Sequence, residues 1–239
     1  MSLTNRRALV TGASGAIGGA IAEALADRGA RLLAVGRDAA RLDALARRLG
    51  GRVTVSAVVA DLMEDGAVDA IAGTALGEFG GVDVLVHAAG AFASGPLETS
   101  PAEAFDRQMR INARAPYLLT QRLLPSLLAR RGEIVFVNST AVLAPRAGVG
   151  AYAASKAALR ALADSLRAEV NARGVRVLSV FPGRTASSMQ EEVHRAEGAA
   201  YRSERLLQPA DVAAAVVNAL SLPRTAEVTD VYLRPMQPA

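Results

Sequence analysis

Tyr152 and Lys156 stand four residues apart in AYAASKAAL. On a helix this spacing places both side chains on one face, one turn apart. A lysine ammonium beside a tyrosine favours the tyrosinate and lowers a phenol pKa of about 10. Such a pair is a tunable proton donor and acceptor. The lysine is also singular, because of 27 Lys and Arg residues Lys156 alone is a lysine. Elsewhere the chain uses arginine for positive charge. Position 156 therefore asks for what a guanidinium lacks, a compact charge with a shiftable pKa and three donors on a flexible stem. YxxxK by itself equally describes a surface lysine beside a half-buried tyrosine, so its surroundings must decide.

A second chemical signature lies near the start. TGASGAIG follows an apolar run and opens a helical pattern. Gly12 allows a sharp turn and Gly18 close packing. The backbone N–H groups of Ser14, Gly15, Ala16, Ile17 and Gly18 then face a phosphate, helped by the helix dipole. The alternative is a tight strand-to-helix turn without a ligand; its place at the first β-α turn favours the nucleotide. The second apolar run ends in AVGRD. An acid there would hold a ribose 2′-hydroxyl, whereas an arginine accommodates a 2′-phosphate. Arg37 after the small Gly36 favours NADP(H) over NAD(H), while Asp38 either is the acid that counts against this or reads equally well as the N-cap of the next helix. Asp61, in VVADLM with Leu62, either contacts the adenine or caps the following helix.

The elements that must carry these residues alternate. Seven apolar runs rich in β-branched residues appear in order: RALVTG, ARLLAVG, RVTVSAVVA, VDVLVHAAG, GEIVFVNS, VRVLSVFPG and EVTDVYL. Helical patterns fill 16–29, 38–49, 64–79, 101–130, 151–173 and 209–221. Repeated β-α units imply a parallel sheet of about seven strands with helices on both faces. Gly29, Gly50, Gly80 and Gly174 fall near helix ends, where a left-handed C-cap wants glycine. The least patterned stretch, 184–208, is a candidate lid over a site.

Composition narrows the classes. An apolar fraction of 51% supplies a real core, and the absence of cysteine removes disulfides and thiolate chemistry. Two histidines cannot build a structural zinc site, so no metal is expected. The N-terminus lacks a signal-peptide pattern and no apolar run reaches membrane-spanning length, so a soluble cytoplasmic protein without membrane partners is expected. The net charge is only +4 and the basic residues are interspersed with acids, which argues against a nucleic-acid partner.

Taken together, TGxxx[AG]xG, HAAG after the fourth run, Ser139 in IVFVNST, and Tyr152-x-x-x-Lys156 resemble the short-chain dehydrogenase/reductase family, in its compact branch. The thirteen-residue spacing from Ser139 to Tyr152, Asn112 in MRINARAPYLLT, and Pro182-Gly183 in VFPGRTASS extend the resemblance over nearly the whole chain. It implies an α/β fold, a single-domain Rossmann-type doubly wound parallel sheet over 1–239. It implies an NADP(H)-dependent oxidoreductase interconverting a ketone or aldehyde and an alcohol, with Tyr152 as general acid/base. Lys156 would lower its pKa and hold the nicotinamide ribose. Ser139 would bind the substrate oxygen, and Asn112 would kink its helix and anchor a water in a relay to Lys156. Ala88, Ala89, Gly90, Pro182, Gly183 and Ser187 would line the cofactor. A homo-oligomer, tetramer or dimer, packed through helices 101–130 and 151–173 is implied too. A non-catalytic NADP-binding sensor or scaffold is the alternative on the same fold.

The chain departs from the family at three places, one of them Ser187, where the family's cofactor-amide contact is a threonine. The usual NNAG reads His87-Ala88-Ala89-Gly90, so one supporting amide is missing and His87 becomes either a catalytic candidate or a hydrogen-bonded sheet-end residue. Arg184 is unusual; it meets an anionic substrate or the cofactor phosphate, or faces water. Ala91–Ser94, Val142–Pro145, Val149, Gly183–Met189 and Tyr201, with Arg146 nearby, are the expected substrate pocket, for a ketone or secondary alcohol of modest size.

Overall fold

A computed structural model describes residues 3–237. Seven strands, β1 (Arg7–Thr11), β2 (Arg31–Gly36), β3 (Val55–Val59), β4 (Val84–His87), β5 (Glu133–Val137), β6 (Arg176–Pro182) and β7 (Asp230–Leu233), form one sheet in the order 3-2-1-4-5-6-7. Every neighbouring pair runs parallel. The order reverses between β1 and β4, which opens a crevice at the carboxyl ends of those strands.

The sequence explains why both faces are covered. Side chains alternate along a strand, and here both sets are apolar. Ala8 and Val10 of β1, Leu32 and Ala34 of β2, and Val135 and Val137 of β5 enter one core. Leu9, Leu33, Val35, Ile134 and Phe136 enter the other. The first core is closed by α1 (Ala16–Asp27), α2 (Ala39–Leu49) and α8 (Pro209–Leu220) through residues such as Ile21, Leu42 and Val216. The second is closed by α3 (Ala67–Leu76), α5 (Ala115–Ala129) and α6 (Gly150–Val170) through Ile71, Leu123 and Leu159.

Three expectations need correction. The helix over 101–130 is α4 (Ala102–Met109), a π-helical turn (Arg110–Arg114) and α5. The wide turn contains Asn112, whose amide is bonded outside the helix. Gly50 keeps ordinary right-handed helical geometry, φ −61° and ψ −20°, whereas Gly29, Gly80 and Gly174 have φ of +81°, +74° and +84°. The stretch 184–208 contains a helix, α7 (Ser188–Ala196), and a 3-10 turn (Ser203–Arg205). Its sequence, SMQEEVHRA, buries only Val193 and His194, so the apolar stripe that reveals a helix is thin.

At the amino end of the sheet, opposite the crevice, Glu133 is buried between Arg6 and Arg176, with both of which it forms ion pairs. This cluster ties the starts of β1, β5 and β6 together, far from the chemistry described next.

Candidate active site

The glycine loop between β1 and α1 is shaped by close approaches that exclude a Cβ. Gly12 has φ +71°, and a Cβ on it would lie 2.6 Å from the backbone N of Ala89. On Gly18 it would lie 2.2 Å from Gly12 O, and on Gly36 2.4 Å from Ser14 Oγ. The loop therefore presses against β4 and β2. The α1 N-cap is Gly15, with no side chain to satisfy the first-turn N–H groups. Gly15 N, expected to face the phosphate, instead donates to Gly12 O at 2.9 Å, so the cradle is the first-turn N–H groups of α1 at the positive end of a helix, which fits a phosphate.

From the cradle a cleft of ≈ 1710 Å³ runs along the strand ends. That exceeds the roughly 300–1,000 Å³ of a pocket for one drug-sized ligand, as a site for a dinucleotide and a second reactant requires. Gly12, Ser14, Gly15, Ala16, Ile17, Gly18, Arg37, Asp61, Leu62, Ala88, Ala89, Gly90, Ser139, Tyr152, Lys156, Pro182, Gly183 and Ser187 all line it. Asn112, expected among the catalytic residues, does not. It is fully buried behind the wall.

Asn112 explains the π turn. Its Nδ2 donates to Ala91 O (2.8 Å) and Ser155 Oγ (2.9 Å), and its Oδ1 accepts from Ala91 N (2.8 Å). The side chain thus reaches outside its own helix and joins the segment after β4 to α6. A Cβ on Gly90 would sit 3.4 Å from Asn112 Oδ1 and 3.8 Å from Lys156 Nζ, so the two polar groups approach the same glycine.

Lys156 is 4% exposed, and its Nζ donates to Val137 O at 2.8 Å. Burial lowers its pKa to about 8. Tyr152 is partly open to the cleft, with Phe92 edge-on at a ring separation of 5.0 Å. Burial of its hydroxyl pushes the phenol up, and a hydrogen bond with the Ser139 side chain pulls it down. The balance runs opposite to the sequence expectation of a phenol depressed by Lys156. The ammonium is turned to a carbonyl and lies 6.0 Å from the ring centroid. Ser139 has two tasks, because its Oγ also accepts from Ala141 N at 3.2 Å and caps the turn after β5.

The remaining candidates separate by their partners. Asp38 caps α2, accepting from Arg41 N at 3.0 Å, and lies 3.3 Å from the Arg41 guanidinium. Asp61 accepts from Met63 N at 2.9 Å and pairs loosely with Arg37 at 3.7 Å; it closes a turn, while Gly66 caps α3. Ser187 caps α7 through Gln190 N at 3.1 Å. Arg184 is engaged by Glu197 and His194. Of the expected pocket, Ala91, Phe92, Ala144, Arg146, Val149, Gly183–Thr185 and Ser187–Met189 line the cleft; Ala93, Ser94, Val142, Leu143, Pro145, Ala186 and Tyr201 do not. Tyr201 instead accepts from Ser187 N at 3.2 Å.

Sequence reasoning missed four supports. Thr11 Oγ1 accepts from Ala88 N (3.2 Å) and Ala89 N (3.3 Å), holding the turn where the usual asparagine is absent. Asn138 Nδ2 donates to Lys156 O at 3.2 Å. Gln108 Oε1 accepts from Ala93 N at 3.0 Å. The segment after β7 packs on Gly183 and brings Arg234 and Met236 to the cleft. The available signal was a Thr, an Asn and a Gln next to motif residues, and such residues are usually solvated.

His87 is a core residue. It is 2% exposed, stacks on Phe136 at 5.0 Å, and its Nε2 is 2.8 Å from Thr120 Oγ1. Burial lowers its pKa to about 3. Between that value and the unfolded value of about 6.5, the unfolded chain binds the extra proton. Stability therefore falls as pH drops through this window, by up to about 1.4 kcal/mol per pH unit from this group. His87→Gln should flatten that part of a denaturation-versus-pH curve; an unchanged slope would assign acid sensitivity elsewhere.

Comparison with known proteins agrees with this geometry. The short chain dehydrogenase family model matches residues 6–198. An uncharacterized short-chain type dehydrogenase/reductase of Sinorhizobium fredii is 37% identical over 233 residues, covering 95% of this chain and 90% of that one. Among solved structures, a metagenomic short-chain oxidoreductase in complex with NADP superposes with a TM-score of 0.85 at 32% identity, covering 100% of both chains. The alcohol dehydrogenase of Thermococcus sibiricus, complexed with 5-hydroxy-NADP, gives 0.88 at 28% identity, covering 98% of this chain and 99% of its own. A glycine cradle, a buried lysine behind a tyrosine, and matches across the chain place this protein in the short-chain dehydrogenase/reductase family, as an NAD(P)-dependent oxidoreductase.

Proposed function

We propose that the protein is an NADP(H)-dependent carbonyl reductase/alcohol dehydrogenase in which Tyr152 is the proton donor and acceptor. The observation that carries this reading is the meeting of Ser139 and Tyr152 at the cleft wall, with Lys156 buried behind them. A phenol pushed up by burial is protonated at neutral pH, the form that carbonyl reduction needs. The nicotinamide supplies the hydride when bound. Tyr152 Oη gives its proton to the substrate oxygen, and the Ser139 hydroxyl donates to that oxygen as its charge develops. The resulting phenolate is steadied by the nearby Lys156 ammonium. In alcohol oxidation the same proton moves the other way. Asn112 positions the wall that carries these groups and completes the relay towards Lys156. The intact set gives no support to a non-catalytic sensor.

Cofactor choice follows from the end of β2. The acid that would hold a 2′-hydroxyl, Asp38, lines the cleft beside Arg37 and Arg41 but is engaged in capping α2 and in its ion pair with Arg41. Two cations suit a 2′-phosphate. NADP in one solved relative and 5-hydroxy-NADP in the other support this choice. The candidate lid 184–208 contributes one wall of the substrate end through α7. A dimer or tetramer remains the proposed assembly; half-exposed Phe105 and Tyr117 on α4 and α5 support it.

Tyr152→Phe should bind NADPH normally and lose roughly 10²–10⁴-fold in kcat on any ketone that the wild type reduces. Retention of most activity would move the proton transfer elsewhere. In fluorescence titrations the wild type should prefer NADPH to NADH, and Arg37→Ala should weaken NADPH by about tenfold or more while leaving NADH binding intact. Equal loss for both cofactors would overturn the 2′-phosphate assignment.

A further inference from the structure

Two arginines enter the cleft from the loops that flank the proton donor. Arg146 lies between β5 and α6, six residues before Tyr152, and Arg184 directly follows Gly183 at the end of β6. Both turn towards one carboxylate, Glu197, at the C-terminal end of α7. Arg184 Nη2 lies 2.9 Å from Oε1 and 2.7 Å from Oε2, and Nη1 is 3.3 Å from Nε2 of buried His194. Arg146 Nη2 is 3.6 Å from Oε1, too far for a hydrogen bond. One acid against two cations leaves one charge uncompensated, and the geometry identifies it. Arg184 is 19% exposed and fully engaged, whereas Arg146 is 58% exposed.

An exposed arginine on a free loop would be unremarkable. Arg146 is not on a free loop. Gly95 N donates to Gly148 O at 2.8 Å, and Val149 N donates to Arg146 O at 3.3 Å, just before α6 begins. The segment is thus pinned to the loop after β4 on one side and to the helix of Tyr152 on the other. Apolar residues of the same cleft include Phe92, Ala144, Val149, Met189 and Val193. Apolar walls strengthen an ion pair formed among them. Glu192 also lines the cleft, but it stands five residues before Glu197 and so on a different face of α7.

We propose that Arg146 is a specificity-determining residue that receives a substrate carboxylate, so that the substrate is a small oxo- or hydroxy-carboxylate. The proposal rests on the carbonyl-oxidoreductase reading of the site. A guanidinium presents paired N–H donors that match a carboxylate. Moving Arg146 from a long contact with Glu197 to a substrate acid costs little, because Arg184 keeps Glu197 and α7 in place. Anchoring the acid fixes where the carbonyl falls relative to Tyr152. In reduction the carbonyl carbon takes hydride from the reduced nicotinamide, and the oxygen takes the Tyr152 proton. The carboxylate is unchanged and serves only as a handle.

The test is kcat/KM with NADPH for acetoacetate and levulinate, their primary amides, and simple ketones. The wild type should favour each acid over its amide by roughly 10- to 100-fold. In Arg146→Ala the ratio should fall to near one through the KM of the acid, and Arg146→Lys should keep part of it. Calorimetry on the NADP⁺-loaded protein should show 3-hydroxybutyrate binding weakened by a similar factor in Arg146→Ala. A wild-type ratio near one, or a ratio that Arg146→Ala leaves in place, overturns the proposal while ketone turnover preserves the oxidoreductase reading. Absence of NADPH oxidation with every compound, ketones included, overturns both.

Discussion

Lys156 is fastened to the end of β5 in both directions. Its Nζ donates to Val137 O at 2.8 Å, and Asn138 Nδ2 donates back to Lys156 O at 3.2 Å. These two bonds fix the register between α6 and β5, the strand that leads into Ser139. With that register fixed, Ser139 and Tyr152 meet at the cleft wall. An ammonium taken out of water at 4% exposure carries a desolvation cost, visible in its pKa of about 8. The cost persists because the carbonyl at the strand end would otherwise lack this donor, and because the site beyond needs a cation. Asn112 performs a similar service one layer back, joining the segment after β4 to α6 through Ala91 and Ser155.

The two ends of the sheet divide the work. At the amino ends Glu133 gathers Arg6 and Arg176 into a closed ion cluster that holds strands. At the carboxyl ends charge is left incompletely paired: Arg37 meets Asp61 only at 3.7 Å and Arg146 meets Glu197 only at 3.6 Å. Satisfied charges stabilise a fold, whereas loosely paired ones beside a cleft are available to a ligand. The glycine loop follows the same logic with backbone donors, held close to β4 and β2 by positions that tolerate no Cβ.

Most of the architecture was legible because both faces of the sheet are buried. The apolar runs around Leu9, Leu33, Val86, Val135 and Val180 could be strands of little else than a covered parallel sheet. Tyr152, Lys156 and Ser139 were legible because their spacing is a covalent fact of the chain. What stayed hidden was tertiary. The π turn at Arg110–Arg114 depends on where Ala91 and Ser155 lie, which no local propensity records. Helix α7 was masked by a polar sequence whose stability comes from Ser187, Tyr201 and Glu197 contacts. Thr11 and Asn138 looked like ordinary polar residues at strand ends, and only burial shows that each holds a motif in place. The direction of the Tyr152 shift was also invisible, because the sequence pairs it with Lys156 but cannot weigh burial against charge.

On the proposed reading, position 156 requires a compact ammonium in this particular geometry, not merely a positive charge. The decisive measurement is the single-turnover rate of carbonyl reduction by Lys156→Arg at saturating NADPH, on any carbonyl that the wild type reduces. A planar guanidinium cannot donate to Val137 O and leave Tyr152 its space, so the rate should fall by roughly 10²-fold or more. A rate within a few-fold of wild type would contradict the account, because charge alone would then suffice.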